Sequence, residues 1–137
     1  MHLAATAAMA GLIWFVQLVH YPLFADVGRD GFVAYEAAHQ RRTTWVVGPL
    51  MAVEGVSALV VPFVLADRIG VVLPLVGLIL LAIIHASTVF LQAPAHTRLA
   101  RGYDDSVQRR LVRTNWIRTG GWSLRVVVAS AMIVAAT

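Results

Sequence analysis

The chain has 137 residues, of which 59% are hydrophobic and only 13% are charged, and its formal net charge is +4. This composition is typical of an integral membrane protein and excludes an ordinary water-soluble domain. Because the chain has no cysteine, disulfides and thiolate metal sites are also excluded.

Four apolar runs follow one another along the chain, and each is close to the twenty residues or so that a helix needs to cross a bilayer. They are 3–24, 45–66, 70–93 and 116–136. A segment in lipid must satisfy its own backbone hydrogen bonds, and runs of this length are too long for barrel strands. The sequence therefore predicts one all-α domain, 1–137, folded as a four-helix transmembrane bundle.

The two longer connections, 25–44 and 95–115, have helical patterns of their own. In the first, four side chains recur at three- and four-residue spacing: Phe32, Tyr35, His39 and Arg42. The second contains Asp104, a residue type that commonly begins a helix. We therefore expect two interfacial cytoplasmic helices beside the four spans.

The positions of the basic residues predict an orientation. All eleven are arginine, and nine lie in or beside the two longer connections, whereas only Arg68 lies in the short turn after the second run. By the positive-inside rule, residues 25–44 and 95–115 are cytoplasmic and both termini are outside, in a multi-pass protein of the bacterial inner (plasma) membrane. The arginines follow the helix ends and form no free basic arm, so we expect no nucleic-acid partner.

A short internal repeat is visible in the sequence. Trp45 and Trp116 are each followed nine positions later by an ionisable residue, Glu54 and Arg125 respectively. Such a match is typical of parallel repeats related by an axis along the membrane normal, as in some transporters. Chance and shared interfacial chemistry explain so short a match equally well.

Polar side chains lie at similar depths in all four runs. Counting about 1.5 Å per residue from the helix ends places four of them about 10 to 14 Å inside the bilayer, and His20 about 6 Å inside. The four are Gln17, Glu54, His85 and Arg125. Ionisable groups in lipid cost about 2.5 to 3.5 kcal/mol at a helix centre, so they should face the bundle interior. Glu54 and Arg125 could simply neutralise each other, but the number of polar groups favours a shared pocket open to the cytoplasmic side.

Three chemistries fit such a pocket. For a transition metal, the ligand set would be His20, Glu54 and His85, with His39 and His96 as further candidates. None of these five residues is related to another by Glu-x-x-His or His-x-x-x-His spacing, and Arg125 would repel a cation. Haem is a second choice, with His20 and His85 as axial ligands, although no attachment motif is present.

The third chemistry is metal-free acid–base catalysis or recognition of an amphipathic ligand. His20 and His85 would exchange protons, Glu54 would orient them, and Arg125 or Arg118 would hold developing negative charge. Ligand contacts are expected from Gln17, Tyr35, His39, Gln92, Asn115, Trp116 and Arg118. Aromatic residues also crowd membrane interfaces simply as anchors.

Several strings of this chain carry a family resemblance. They are residues 14–24, then Phe32, Tyr35, His39 and Arg42, then Pro49, Met51 and Glu54, and finally residues 115–119. Over nearly its whole length the chain resembles a group of small, uncharacterised bacterial four-helix membrane proteins. More distantly it is similar to the anthrone-oxygenase-like membrane proteins, whose fungal members oxidise anthrones to anthraquinones without a conventional cofactor. No catalytic motif aligns between the two groups.

The resemblance implies a four-helix fold and, as the first functional expectation, an oxidoreductase acting on a lipophilic aromatic or quinone-like compound. A metal-binding membrane protein is the alternative, and a non-catalytic transporter or assembly subunit is the second alternative. The cofactor is accordingly none or a transition metal. The expected partners are the lipid bilayer and a lipophilic small molecule, and a homo-oligomer is left open.

Overall fold

The fold is known from a computed structural model that describes all residues, 1–137, and it is all-helical without strands. Helix α1 spans His2–Phe15, α2 spans Arg29–Ile69, α3 spans Val72–Ser87, α4 spans Ala93–Leu99 and α5 spans Asp105–Ala136. Short π-helical turns at Val16–His20 and Thr88–Gln92 and a 3₁₀ helix at Pro22–Asp26 join these elements. Four continuous helical units are long and apolar enough to cross a membrane, which confirms the prediction from the apolar runs.

The structure does not support two separate interfacial helices. Residues 29–44 are the first turns of α2, a single helix of 41 residues, and residues 105–115 are the first turns of α5. Each helix continues past its apolar run; no proline lies between Arg29 and Thr44 or anywhere in α5, although α2 also runs through Pro49 and Pro62 without ending. At about 1.5 Å per residue α2 is about 60 Å long, roughly twice the thickness of a bilayer core.

The order of elements repeats once along the chain. In each half a helix of 14 or 16 residues passes into a π turn, then a short helix, and then a long helix. Each π turn ends two residues before a proline, Pro22 or Pro94, which has no backbone N–H to donate to a helix. This order is compatible with the parallel repeat predicted from the sequence.

Helices α3 and α5 pack closely because a glycine lies between them. A Cβ atom added to Gly121 would lie 2.7 Å from Cγ1 of the buried Ile84, closer than real Cβ atoms approach such atoms. The neighbouring Trp122 is fully buried in the same core. By contrast, much of α2 faces outward with apolar side chains, such as the 88%-exposed Phe63, as expected of a helix surrounded by lipid.

One end of the bundle is formed by the 3₁₀ helix, the first turns of α2, helix α4 and the first turns of α5; we call it the charged end. At this end Asp104 caps α5 by accepting hydrogen bonds from the backbone N–H groups of Ser106 and Val107. The hydrogen bonds from Ser106 and Val107 hold the pKa of the Asp104 carboxyl below its usual range. Arg29 reaches Asp105 across the end at 4.0 Å, between two exposed side chains.

Candidate metal centre

Three potential metal ligands come together at the charged end. Glu36 and His39 lie three residues apart on the first turns of α2, so they share one face of that helix. His96 lies on α4 and packs against that face. One ligand atom from each of the three residues lies within 4.8 Å of the others.

Glu36 is the most deeply buried member of this group, with no solvent exposure. Its Oε1 atom lies 2.6 Å from Nδ1 of His96 and accepts a hydrogen bond from Nε2 of Gln40 at 3.0 Å. Its Oε2 atom is buried without any hydrogen-bond partner. A buried carboxylate oxygen normally has a donor or a cation beside it, so Oε2 has capacity for a further ligand.

The protein contacts one ring nitrogen of His39 and both ring nitrogens of His96, whose Nδ1 faces Oε1 of Glu36. Nδ1 of His39 lies 2.7 Å from Nε2 of His20 and 3.2 Å from the Thr43 hydroxyl. Nε2 of His96 lies 2.9 Å from the Tyr21 hydroxyl. The contacts to His39 leave its Nε2 without a protein partner, so this nitrogen is available as a ligand. Such fixing of the ring by an outer residue is typical of metal-binding histidines.

A cavity of about 380 Å³ adjoins the two histidines. It lies between α2, the π turn that follows α3, α4 and α5, and Arg118 forms part of its wall. Nε of Arg118 is buried without a partner, and its NH1 donates a hydrogen bond to Oδ1 of Asn115 at 3.3 Å. The cavity therefore brings a buried guanidinium and two imidazoles to one space.

Glu54 and Arg125 form a separate buried network. Nε of Arg125 donates to Oε1 of Glu54 at 2.9 Å, and Nε1 of Trp122 donates to Oε2 at 2.9 Å. A further nitrogen of Arg125 donates to the carbonyl oxygen of Gly77. Glu54 lies eighteen residues beyond Glu36 on α2, about 27 Å along the helix, so the two carboxylates belong to different sites.

Gln17 lies in the π turn that follows α1 and joins this turn to α5 in a third polar group. Its Oε1 atom accepts a hydrogen bond from Nδ2 of Asn115 at 2.9 Å, and its Nε2 atom donates to the carbonyl oxygen of Val112 at 3.2 Å. The Thr119 hydroxyl also points to Gln17, at 3.5 Å. These contacts satisfy both ends of the amide, so Gln17 and Asn115 serve to connect two helices.

The other residues singled out from the sequence are dispersed. His85 is half-buried and bonds through Nδ1 to the carbonyl of Leu81 on its own helix. Gln92 accepts a hydrogen bond from Ser87 and donates one to Thr114, and it forms part of the cavity wall. Trp116 is exposed and packs edge-on against Trp14. Tyr35 lies beside His20 and Phe24 at the charged end.

The shared pocket expected from the sequence is thus divided into separate networks. His20 and His39 do come together, but Glu54 is engaged by Arg125, and His85 by its own helix. The proposed ligand set of His20, Glu54 and His85 is not brought together; the cluster contains Glu36, His39 and His96 instead. Sequence reasoning missed Glu36, although Glu36-Ala37-Ala38-His39 has the Glu-x-x-His spacing of many metal sites in helical bundles.

No family model matches this chain, and neither a curated protein nor a solved structure matches it.

Proposed function

We propose that this protein is a metal-binding membrane protein whose centre consists of Glu36, His39 and His96. Two imidazoles and one carboxylate form a ligand set that suits divalent transition metals, and it is the set used by many non-haem Fe²⁺ and catalytic Zn²⁺ sites. Three protein ligands leave further coordination positions open to water or to a second molecule.

The observation that carries this proposal is the unpartnered Oε2 atom of Glu36. An ionised carboxylate with no solvent exposure is costly unless each oxygen is paired. Oε1 is contacted by His96 and Gln40, whereas Oε2 has no donor. A cation bound between Oε2 and the two imidazoles would remove this cost.

Metal analysis of the protein in detergent tests the proposal. The wild type is loaded with Zn²⁺ or, without oxygen, with Fe²⁺, excess metal is removed, and bound metal is measured by mass spectrometry. We expect about one ion per chain. Glu36→Gln keeps the shape of the side chain and removes its charge, so it should lower metal affinity at least about tenfold.

His85→Asn is the matched control, because His85 bonds only to its own helix and lies outside the cluster. This variant should bind metal like the wild type. Wild-type protein that retains no metal under these conditions contradicts the proposal, and so does equal binding by Glu36→Gln and His85→Asn.

An oxidoreductase acting on a lipophilic aromatic or quinone-like compound is the second candidate. It is favoured by the cavity of about 380 Å³ beside the histidines, which could hold an organic molecule next to the open coordination positions. The sequence resemblance to anthrone-oxygenase-like proteins suggests anthrone as the probe, with dioxygen as oxidant and anthraquinone and water as products. Anthraquinone formed by the Fe²⁺-loaded wild type but not by Glu36→Gln would support an enzyme. Metal binding without this reaction would favour the non-catalytic transporter or assembly subunit.

We also propose that the charged end faces the cytoplasm of a bacterial cell, with both termini outside. The support is the concentration of arginine at this end. Because the chain lacks cysteine, single cysteines at Asp67 and Arg101 can be labelled with an impermeant maleimide on intact spheroplasts. Reaction at position 67 alone is expected. Reaction at position 101 alone would reverse the orientation.

A further inference from the structure

We propose that the cavity beside the metal centre binds an organic carboxylate, with Arg118 as the cation that holds it. This inference deepens the proposed function by assigning a ligand class to the space next to His39 and His96. It rests on the proposed function only for the statement that the ligand lies beside a metal.

Arg118 is a buried cation without a counter-charge. Its residue exposure is 7%, and no carboxylate lies within 4.0 Å of it, since the ion pairs of the chain involve Arg29, His96 and Arg125 instead. Its contacts are one hydrogen bond to Asn115 at 3.3 Å, the Tyr21 hydroxyl beside it, and the ring of Trp122, 5.3 Å from its central carbon; none of these groups carries a negative charge. Nε has no partner.

Arg125, two helical turns further along α5, is also buried, but its positive charge is balanced by a carboxylate. It is paired with Glu54 at 2.9 Å and donates a second bond to a backbone carbonyl. Burying a guanidinium without such a partner is strongly unfavourable, because the charge loses its hydration and gains no counter-charge. Both residues lie on the same helix and each keeps one unpartnered nitrogen, but Arg118 lacks the carboxylate partner that Arg125 has and lines the cavity of about 380 Å³. We therefore infer that the ligand supplies the missing negative charge.

A carboxylate fits this position better than a neutral polar group. Guanidinium N–H groups form a planar fork that matches the two oxygens of a carboxylate, and these charge-assisted bonds are stronger than neutral ones. The remaining wall offers hydroxyl and amide groups at Thr44 and Gln92 and apolar surface at Val47 and Met51. The volume of about 380 Å³ falls in the range of small-molecule sites. The ligand is therefore a compact carboxylate with an apolar body.

Calorimetric titration of the full chain in detergent tests this proposal with benzoate as the probe and benzamide as its neutral isostere. Benzoate should bind, and benzamide should bind at least about tenfold more weakly. Arg118→Gln should lower benzoate affinity at least about tenfold, whereas Arg113→Gln, an exposed change on the same helix, should leave it unchanged.

A second variant, Gly48→Leu, tests the same site if Arg118→Gln does not fold. Gly48 lines the cavity, and a Cβ atom there would meet nothing within 4 Å, so Gly48→Leu should fold and fill part of the space. It should weaken benzoate binding without any loss of charge. Equal binding of benzoate and benzamide, no binding by the wild type, or wild-type affinity in Gly48→Leu would each overturn the carboxylate site.

The two proposals fail separately in this experiment. Glu36→Gln removes a metal ligand but leaves Arg118 and the cavity wall intact. If the wild type binds benzoate but no metal, the metal centre is wrong and the carboxylate site stands. If it binds metal but no benzoate, the carboxylate site is wrong and the metal centre stands.

Discussion

Glu36 and His96 are sixty residues apart in the chain, yet their carboxylate oxygen and imidazole nitrogen lie 2.6 Å apart at the charged end. This contact joins α2 to α4, and it exists because α2 begins at Arg29, well before its apolar run. The extra turns carry Glu36 and His39 past the last turn of α1 to meet α4. A helix beginning at residue 45 would have left the candidate centre without two of its three ligands.

Breaking the pair of Glu54 and Arg125 should destabilise the bundle strongly. Glu54→Gln or Arg125→Met leaves one buried group without its partner, so each should lower the free energy of unfolding by about 3 to 5 kcal/mol. The double variant should recover part of this loss. Denaturation in detergent, followed by circular dichroism, measures these values.

The exposed pair of Arg29 and Asp105, 4.0 Å apart, provides the control for the buried pair. Asp105→Asn should change the free energy of unfolding by less than about 1 kcal/mol, because water and salt screen this interaction. Strictly additive effects of the two changes at Glu54 and Arg125 would show that these residues do not stabilise each other.

The sequence predicted the four helices but not where they begin. Hydropathy marks the residues that lipid surrounds, whereas a helix continues until its backbone is interrupted. Residues 29–44 and 105–115 are polar enough to look like connections, yet their backbone is helical and extends α2 and α5. Depth estimates counted from the edge of an apolar run could not detect this extension.

For a related reason, only some residues of the buried polar networks could be predicted from the sequence. The pairing of Glu54 with Arg125 could be anticipated, because two opposite charges in lipid have few other partners. Glu36 lies outside every apolar run, where a carboxylate is normally solvated, so hydropathy gave no reason to select it. Its spacing to His39 was a visible signal, whereas its contact with His96 depends on how α4 packs against α2.

Gly121 should be the less replaceable of two adjacent glycines in α5. In Gly121→Ala the new methyl group would lie 2.7 Å from Cγ1 of Ile84, which is fully buried and has little room to move. We expect a loss of about 1 to 3 kcal/mol in the free energy of unfolding. Gly120→Ala meets no atom within 4 Å and should be neutral or stabilising by up to about 1 kcal/mol, since alanine favours helix.

Thermal unfolding of the two glycine variants in the same detergent measures this difference. Ile84→Ala removes the obstructing atoms, so adding it to Gly121→Ala should cost less than the sum of the two single changes. Equal melting temperatures for Gly120→Ala and Gly121→Ala would contradict the close approach of α3 and α5.

Asp104 should hold the start of α5 in a pH-dependent way. Hydrogen bonds from Ser106 and Val107 depress the pKa of this carboxyl in the folded protein. A depressed folded pKa means that the stabilisation is present above the unfolded pKa, about 3.9, and is lost as the pH falls through the lower folded value. Asp104→Ala should therefore resemble the wild type only in strong acid.

Hydrogen exchange followed by mass spectrometry can detect the effect of Asp104 on α5. At neutral pH, Asp104→Ala should speed exchange at the amides of Ser106 and Val107, which donate to Asp104 in the wild type. Asp105→Ala, which removes no cap hydrogen bond, should leave these two amides protected. Unchanged exchange in Asp104→Ala would show that the cap does not control the helix start.

His20 should act as a positioning residue for the metal ligand His39. If Nε2 of His39 binds the metal, its Nδ1 carries the proton and donates it to Nε2 of His20, 2.7 Å away, with the Thr43 hydroxyl 3.2 Å away as a second contact. Removing such an outer partner typically lowers metal affinity about 10- to 100-fold. We expect this loss in His20→Phe and a smaller one in Thr43→Val.

Competition for Zn²⁺ against a chromophoric chelator measures these affinities, with thermal unfolding of the metal-free proteins as a check on the fold. His20→Gln should recover part of the affinity lost in His20→Phe, because its amide oxygen can accept the proton of Nδ1. Thr44→Val is the control, since the Thr44 hydroxyl donates to the Gln40 carbonyl on its own helix and does not contact His39. Wild-type Zn²⁺ affinity in His20→Phe would mean that His39 is oriented by α2 packing alone. A parallel loss of affinity and melting temperature in every variant would mean that His20 stabilises the charged end rather than the ligand.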